Sequence, residues 1–126
     1  MKTTILSEDT IFENKAVATI GFFDGVHRGH QFLLKHVVDL AHENGMESMA
    51  ITFDKHPRQV LNADYQPQLL TTLGDKLKLL AETGIDHCVV LPFTKVLAAL
   101  SAYDFMDNIM RTKLGVATLL IGYDNR

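Results

Sequence analysis

Four short apolar runs alternate with amphipathic stretches along the chain. The runs cover residues 16–21, 48–53, 87–92 and 116–121, and each is almost continuously hydrophobic. Runs of this kind are typical of parallel strands that helices cover on both faces, whereas strands with one wet face alternate polar and apolar residues. The pattern therefore predicts four buried strands in a mainly parallel sheet.

Stretches with helical periodicity separate these runs. The first covers about 29–43, and Gly45 follows it at the place of a helix C-cap. The second is predicted to begin in a capping box at Thr72 and Asp75, with Asp in place of the usual Glu, and to end at Gly84. The positions expected to face the sheet are Leu33, Leu34, Val37, Val38 and Ala41 in the first helix and Leu73, Leu77 and Leu80 in the second.

A third helical region covers 95–113. Ser101 and Asp104 repeat the capping pattern, so a break is predicted at Ser101. The residues expected to face inward are Phe105, Met106, Ile109 and Met110. Strands that alternate with helices in this way predict one α/β domain with a doubly wound, mainly parallel sheet, and 126 residues suffice for a single core.

Composition places the chain among ordinary globular proteins, with 47% hydrophobic and 21% charged residues. The first residues contain no long apolar segment, so neither a signal peptide nor a membrane span is indicated. The net charge is −3, and the scattered lysines and arginines argue against a nucleic-acid partner. The single cysteine, Cys88, lies in an apolar run and fits a reducing compartment. We expect a cytoplasmic protein.

The candidate chemistry is concentrated in residues 21–30, which link the first apolar run to the first helix and read G-F-F-D-G-V-H-R-G-H. A strand-to-helix turn places main-chain N–H groups and the positive helix end beside the sheet edge, where phosphate binds. His27 and His30 are three residues apart, so both imidazoles can reach one anionic group from the first helical turn. Gly29 allows the backbone to approach a ligand closely. This pattern indicates phosphate chemistry.

The turn matches neither of the two common phosphate loops. Its glycines do not follow the dinucleotide fingerprint, and no Gly-Lys-Ser/Thr triplet marks a P-loop. A metal pair or two solvated histidines would be the alternative interpretation. A zinc site needs about three or four ligands, however, and no His-Glu-x-x-His motif or paired cysteines supply the others. No metal-ligating residue is therefore predicted.

A long connection, 54–71, follows the second apolar run. Connections in α/β units usually have about two to six residues, so a longer one is often functional. His56, Pro57 and Arg58 come directly after the predicted strand. Ligands bind beyond the carboxyl ends of strands in open α/β sheets, which places this loop on the side of the histidine turn. Taken alone, Arg58 is more readily a solvated loop charge and His56 a turn residue.

Longer motifs favour a functional role for these loop residues over a purely structural one. The run G-x-F-D-G-V-H-x-G-H-Q at 21–31 resembles the His-x-Gly-His signature of HIGH-type nucleotidyltransferases, which have a Rossmann-like fold. The segments T-F-x-x-H-P at 52–57, L-T-T-L at 70–73 and D-K-L-x-L-L at 75–80 resemble blocks of prokaryotic FAD synthetases. Over roughly 16–124 the chain is therefore similar to the N-terminal adenylyltransferase module of the bifunctional riboflavin kinase/FMN adenylyltransferase family.

The resemblance implies transfer of AMP from ATP to FMN, with Mg²⁺, to give FAD and pyrophosphate. It makes His27 and His30 the catalytic residues, which would stabilise charge on the α-phosphate. The other nucleotide-binding residues that it implies are Gly21, Phe22, Phe23, Asp24, Gly25 and Gly29. The flavin-binding residues that it implies are Phe53, His56, Pro57, Arg58, Thr72 and Asp124.

Some of these residues have a purely structural interpretation as well. Asp24 can equally tie down the amides of a sharp turn. Phe22 and Phe23 are more readily explained by core and turn packing than by substrate contact, and a lone Asp124 after a strand is usually a turn residue. Lys55 departs from the family, because proline is common at its position.

The 126 residues do not include the family's Phe-Gly continuation, its later Ser-Ser/Thr-x-x-Arg phosphate motif or its C-terminal riboflavin kinase barrel. We therefore expect residues 1–126 to be a C-terminally incomplete adenylyltransferase domain with an exposed sheet edge, and the parent chain to carry the kinase domain. Two alternatives stay open: a cytidylyltransferase-like enzyme with another phosphate acceptor, and a non-catalytic nucleotide- or flavin-binding module. The Gly25-Val26 pair and the His-Pro-Arg loop argue against the first.

Overall fold

The computed structural model describes residues 1–7, 9–26, 28–55 and 72–121. Within these residues one sheet of five strands has the order β1-β4-β3-β2-β5, and every neighbouring pair is parallel. The strands are β1 Lys2–Ile5, β2 Ala16–Ile20, β3 Glu47–Phe53, β4 His87–Leu91 and β5 Val116–Leu120. The α/β fold with a parallel sheet, predicted from the apolar runs, is confirmed.

Helices cover both faces of the sheet. They are α1 Arg28–Glu43, α2 Leu73–Ala81, α3 Lys95–Ala98, α4 Ala102–Asp104 and a π-helix, Phe105–Lys113. The predicted caps form as expected, since the hydroxyl oxygens of Thr72 and Ser101 accept the main-chain N–H groups of Asp75 and Asp104 at 3.1 and 3.0 Å. Each satisfied cap contributes about 1 kcal/mol. The break at Ser101 is thereby confirmed.

β1 is the one described strand that the apolar pattern did not predict. Its sequence, Lys-Thr-Thr-Ile, has a single large apolar residue, and most of its side chains are exposed. It lies at the edge of the sheet, where it pairs in register with β4 through Lys2–His87 to Ile5–Val90. Main-chain bonding to a buried neighbour holds this strand in place, and local hydrophobicity does not encode that pairing.

One inward-facing residue was predicted wrongly. Met106 is 45% exposed, whereas Ile109, Met110 and Leu114 are buried. The cause is the π-helical winding, in which the N–H of Leu114 donates to the carbonyl of Ile109 five residues earlier. Wider turns move the buried stripe to spacings of four and five residues, so the position three before Ile109 turns outward.

The sheet has a separate core on each face. On one face, Leu34, Val37 and Ala41 of α1 and Leu80 of α2 pack on alternate strand residues such as Val90. On the other face, the π-helix packs on the intervening strand residues, among them Met49, Ile51 and Val89. Each fully buried Leu, Ile or Val side chain contributes about 1.5–3 kcal/mol. Two buried faces explain why the central strands read as continuous apolar runs.

Parallel pairing brings the carboxyl ends of β2 and β3 together. Ile20 is in register with Ile51, and the N–H of Gly21 donates to the Ile51 carbonyl at 3.0 Å. The turn after β2 and the connection after β3 therefore leave the same edge of the sheet. Ligand sites of open α/β folds are found at this edge.

Candidate functional site

The turn between β2 and α1 has an unusual backbone. Phe23, Gly25 and Val26 have φ values of 56°, 73° and 43°, in the left-handed region that side chains other than glycine rarely adopt. For Phe23 and Val26, which are not glycines, this conformation costs about 1–3 kcal/mol each and persists only where the surroundings hold it. Phe23 and Val26 are buried, and the side-chain amide of Gln31 donates to the Val26 carbonyl at 3.0 Å. Packing and helix α1 thus hold the turn in this conformation. Because these residues include five of the eight predicted nucleotide-binding positions, we call residues 21–26 the nucleotide turn.

His30 lies in the first turn of α1, where sequence analysis placed it, and it is half-buried. Its imidazole stands edge-on to the ring of Phe23, with the ring centroids 5.1 Å apart and the planes at 86°. A Cβ atom on Gly21 would lie 3.2 Å from the same Phe23 ring, so glycine at this position lets the ring pack closely. Phe23 is therefore a packing residue that orients His30, as the packing interpretation expected.

The other predicted catalytic residue, His27, lies outside the described residues, as do His56, Pro57, Arg58 and Asp124 of the predicted flavin site. Phe53 and Thr72 are described. Phe53 ends β3, and its ring stands edge-on to Phe93 at 5.3 Å. Thr72 caps α2, which is a structural role independent of any ligand.

Lys76 is the site residue that sequence reasoning missed. It belongs to α2 yet is only 2% exposed. Its ammonium donates to the main-chain oxygen of Phe22 at 2.9 Å, to the hydroxyl of Thr52 at 2.9 Å and to the main-chain oxygen of Phe53 at 3.0 Å. Its position in the helix could have indicated that it is buried, because Lys76 falls in the inward-facing stripe of α2 with Leu73 and Leu80.

Two further contacts tie Lys76 to the nucleotide turn. Its Nζ atom lies 3.9 Å from the centroid of the Phe22 ring, within the range of a cation–π interaction. The buried hydroxyl of Thr52 donates to the Phe22 carbonyl at 3.0 Å, so the lysine and the threonine share this acceptor. The nucleotide turn and the end of β3 are thereby joined through one buried charge.

The charge of Lys76 is balanced between burial and nearby acids. Burial lowers the pKa of Lys76 to about 8; Cys88, Asp24 and Asp54, in the forms in which they carry negative charge, oppose this shift. Burial also raises the pKa of the Cys88 thiol to about 11, so Cys88 is uncharged at neutral pH and the two carboxylates supply the compensation. Asp24 therefore has an electrostatic role here, beside the turn-forming role that its position suggested.

Asp54 also fixes the beginning of the connection that follows β3. Its carboxylate accepts the main-chain N–H of Phe93 at 2.9 Å, and its own N–H donates to the Leu91 carbonyl at 3.2 Å. The first residues after β3 are thus bonded to the end of β4. The predicted flavin-binding loop begins from a fixed point.

Cys88 is a free, buried core residue, as its apolar run predicted. Within the ranges that the structure describes, no group of three or more His, Cys, Asp or Glu side chains comes together in a way that could hold a metal ion. In the same ranges, no helix has the length and apolar character needed to cross a membrane.

Relatives of the chain carry the names that its motifs suggested. It is 40% identical over 112 residues to the bifunctional riboflavin kinase/FMN adenylyltransferase of Listeria monocytogenes, which covers 88% of this chain and 35% of the relative. The proteins of the same name from Buchnera aphidicola of Schizaphis graminum and from Escherichia coli K12 are 38% and 37% identical, over 92% and 87% of this chain and 37% and 35% of theirs. The chain spans little more than a third of the length of these relatives.

A solved structure supports the fold. The crystal structure titled macrolide-efflux protein, from Streptococcus pneumoniae, superposes with a TM-score of 0.80 over 100% of this chain and 44% of its own. At 21% identity this likeness concerns the architecture alone. The family model described as FAD synthetase matches residues 9–126. The chain is therefore a member of the FAD synthetase family.

Proposed function

We propose that the protein is an FMN adenylyltransferase that transfers AMP from MgATP to FMN. The observation that carries the proposal is the junction of the nucleotide turn with the end of β3, where Lys76 bonds to both Phe22 and Phe53. Adenylyl transfer needs two phosphate-bearing substrates side by side. This sheet edge offers a turn for one of them and a loop for the other, and the family membership of the chain supports the same assignment.

The reaction balances without a redox step. An oxygen of the FMN phosphate forms a bond to the α-phosphorus of ATP, the bond from that phosphorus to the β-phosphate bridging oxygen breaks, and pyrophosphate leaves. The attacking phosphate monoester has a second pKa of about 6, so it is largely deprotonated at neutral pH and needs no strong general base. The protein has to align the groups and stabilise charge.

His30 and His27 are the residues that we assign to charge stabilisation. His30 is held by Phe23 in the first turn of α1, so its imidazole is oriented before substrate binds. Donors that are preorganised toward developing charge contribute a large share of catalysis. In this proposal the main-chain N–H groups of the first α1 turn add to them. We assign the remaining nucleotide contacts to Gly21, Phe22, Phe23, Asp24, Gly25 and Gly29; for Phe23, whose ring is buried against His30, the assignment concerns the main chain.

Mg²⁺ belongs to the substrate MgATP in this proposal. Magnesium sites commonly use one or two carboxylates together with substrate phosphates and water, so they need no dedicated protein cage. The carboxylate of Asp24, on the nucleotide turn, fits that limited requirement. When bound, the ion neutralises charge on the pyrophosphate that leaves.

The flavin side of the proposal rests on the loop after β3. Phe53 is the last residue of β3, directly before this loop, and Asp54 fixes the start of the loop to the end of β4. We assign the FMN phosphate and ring to a set of residues of which the described ones are Phe53 and Thr72; the others are His56, Pro57, Arg58 and Asp124. Residues 1–126 are then an adenylyltransferase domain, and the protein to which they belong also carries a riboflavin kinase domain.

A cytoplasmic place of action is part of the proposal, since both substrates are small phosphorylated molecules and a reducing compartment keeps the thiol of Cys88 free.

The test of the proposed reaction is a chromatographic assay of the purified full-length protein with FMN, Mg²⁺ and either ATP or CTP. We expect equal amounts of FAD and pyrophosphate with ATP and no product with CTP. A product formed with CTP would instead favour the cytidylyltransferase alternative, and retention of ATP and FMN without turnover would favour a binding module.

A further inference from the structure

Lys76 bonds to both segments that would carry the two substrates. It reaches the nucleotide turn through Phe22 and the end of β3 through Thr52 and Phe53, although it belongs to neither segment. We infer that Lys76 is a positioning residue for adenylyl transfer, which sets the nucleotide turn and the end of β3 at the distance that in-line attack requires. This inference rests on the proposed function, because it assumes that these segments hold ATP and FMN.

Stability alone does not account for an ammonium at this position. Removing a charged group from water costs several kcal/mol, and an apolar residue of similar volume often serves a core as well or better. The stripe of α2 that carries Lys76 is otherwise leucine, so a methionine would match its packing. The oxygens that accept its bonds, at Phe22, Thr52 and Phe53, are all uncharged. The desolvation cost of the buried lysine is therefore explained by its ordering of two segments, the nucleotide turn and the end of β3.

The contacts of Lys76 explain how it acts at a distance from the reacting atoms. Its bond to the Phe22 carbonyl and its position over the Phe22 ring fix both the backbone and the side chain of one turn residue. Its bond to the Phe53 carbonyl fixes the last residue of β3. A shift of about 1 Å in substrate-positioning residues can cost about 100-fold in rate. Without the ammonium, the Thr52 bond to Phe22 and the pairing of β2 with β3 would still join the two segments, but the bond to the Phe53 carbonyl and the contact with the Phe22 ring would be lost.

The test compares four forms of the full-length protein: wild type, Lys76→Met, Thr52→Val and the control Lys78→Met. Lys78 lies on the same helix but is exposed, so its replacement removes the same charge without touching the junction. Initial rates of FAD formation are measured over a range of FMN and MgATP concentrations. Thermal unfolding of each form gives the folded fraction by which its kcat is corrected.

We expect the corrected kcat of Lys76→Met to fall about 10- to 100-fold, the loss that misplaced reacting groups cause, with a raised KM for FMN. Thr52→Val should lower the corrected kcat and raise the KM for FMN by smaller factors. If Lys76→Met does not fold, the result for Thr52→Val tests the inference in its place. Lys78→Met should match wild type. A purely structural lysine would lower only the folded fraction and leave the corrected kcat and both KM values unchanged, which would overturn the inference.

A pH profile supplies an independent readout. Burial lowers the pKa of Lys76 to about 8, and the titratable groups that face it are Asp24 on the turn, Asp54 after β3 and Cys88 on β4. Burial raises the pKa of the Cys88 thiol to about 11. Wild-type kcat/KM should therefore fall as pH rises above about 8, because kcat/KM follows groups of the free enzyme. Lys76→Met should lack this fall.

The same descending limb in Lys76→Met would show that another group causes it and would overturn the positioning role. Failure of the proposed function looks different, since the wild-type protein would then form no FAD from ATP and FMN at any pH. Wild-type activity together with a Lys76→Met enzyme that equals the Lys78→Met control would overturn the inference alone.

Discussion

The imidazole of His30 stands edge-on to the ring of Phe23, 5.1 Å away between centroids and at 86° between planes. Phe23 itself has a φ of 56° and is almost fully buried. An uncommon backbone conformation in the nucleotide turn therefore places an aromatic ring where it orients the first helical histidine. Strain that is retained next to a candidate catalytic group is consistent with preorganisation of that group.

Replacing His30 with alanine should reduce kcat for FAD formation by about 10²–10³, the usual cost of losing one preorganised donor to transition-state charge. ATP affinity, measured by calorimetry, should change little, because the bond is strongest in the transition state. The control is His36→Ala, which removes an exposed imidazole from the same helix. A His30→Ala enzyme with the kcat of the control would refute the catalytic assignment.

Gly25→Ala should reduce both the free energy of unfolding and the activity. Gly25 has a φ of 73°, and an alanine in the left-handed region costs about 1–2 kcal/mol. The matched control is Gly84→Ala, because Gly84 has a φ of +85° in a turn where an added Cβ would meet nothing within 4 Å. Urea unfolding should give similar losses for both variants, whereas kcat should fall for Gly25→Ala alone. Equal kcat values for Gly25→Ala and Gly84→Ala would show that the nucleotide turn is not part of the active site.

The three interior strands, β2, β3 and β4, were predictable because helices cover both sheet faces, which makes their sequences continuously apolar. The apolar run of β5 also predicted a strand, but β5 lies at the other edge of the sheet and is partly exposed, so the prediction that it is buried was wrong. The helix caps were predictable because they are local bonds between Thr72 and Asp75 and between Ser101 and Asp104. The edge strand β1 was not, since its main-chain pairing with β4 spans some 85 residues, from Lys2 to His87, and leaves no hydrophobic pattern.

The same distinction applies to the site. The position of His30 follows from a local strand-to-helix motif, so the sequence predicted it. The role of Lys76 depends on acceptors at Phe22 and Phe53, which are distant in sequence and meet only after β2 and β3 pair. A charged residue within a leucine stripe was the only local sign, and charge in a helix usually indicates a solvated face.

Arg58→Ala should raise the KM for FMN and leave ATP affinity unchanged. Arg58 lies in the connection after β3, outside the described residues, so this prediction rests on its sequence position and on the bidentate match of guanidinium to phosphate. Loss of a hydrogen bond to a charged group costs about 1.5–3 kcal/mol, which corresponds to roughly 10- to 150-fold in affinity. The control Arg111→Ala removes an exposed arginine that pairs with Asp107 on the π-helix. Equal KM values for FMN in the two variants would make Arg58 a solvated loop charge.

A different pair, Asp86 and Ser48, ties the start of β3 to the turn before β4. The Asp86 carboxylate accepts the main-chain N–H and the hydroxyl of Ser48 at 2.9 and 3.0 Å, and the Asp86 N–H donates back to the Ser48 hydroxyl at 2.8 Å. Partial burial disfavours the charged carboxylate, but the Ser48 bonds and the nearby His42 outweigh burial and lower the pKa of Asp86. The ionised form is thus favoured in the folded state.

Asp86→Asn should therefore destabilise the protein in a pH-dependent manner. Because the folded-state pKa lies below that of the unfolded chain, the stabilisation is present above the unfolded value of about 4 and is lost as pH falls through the folded one. Near neutral pH we expect a loss of about 0.5–1 kcal/mol, a small value because the carboxylate is partly exposed and its charge is screened. Urea unfolding at neutral pH and at about pH 3 would measure the gap between variant and wild type, which should shrink in acid as wild-type Asp86 is protonated. Asp39→Asn, on the exposed face of α1, is the control and should show no gap at either pH. A gap for Asp86→Asn that stays constant across this range would mean that the shape of the side chain, and not its charge, stabilises the junction between β3 and β4.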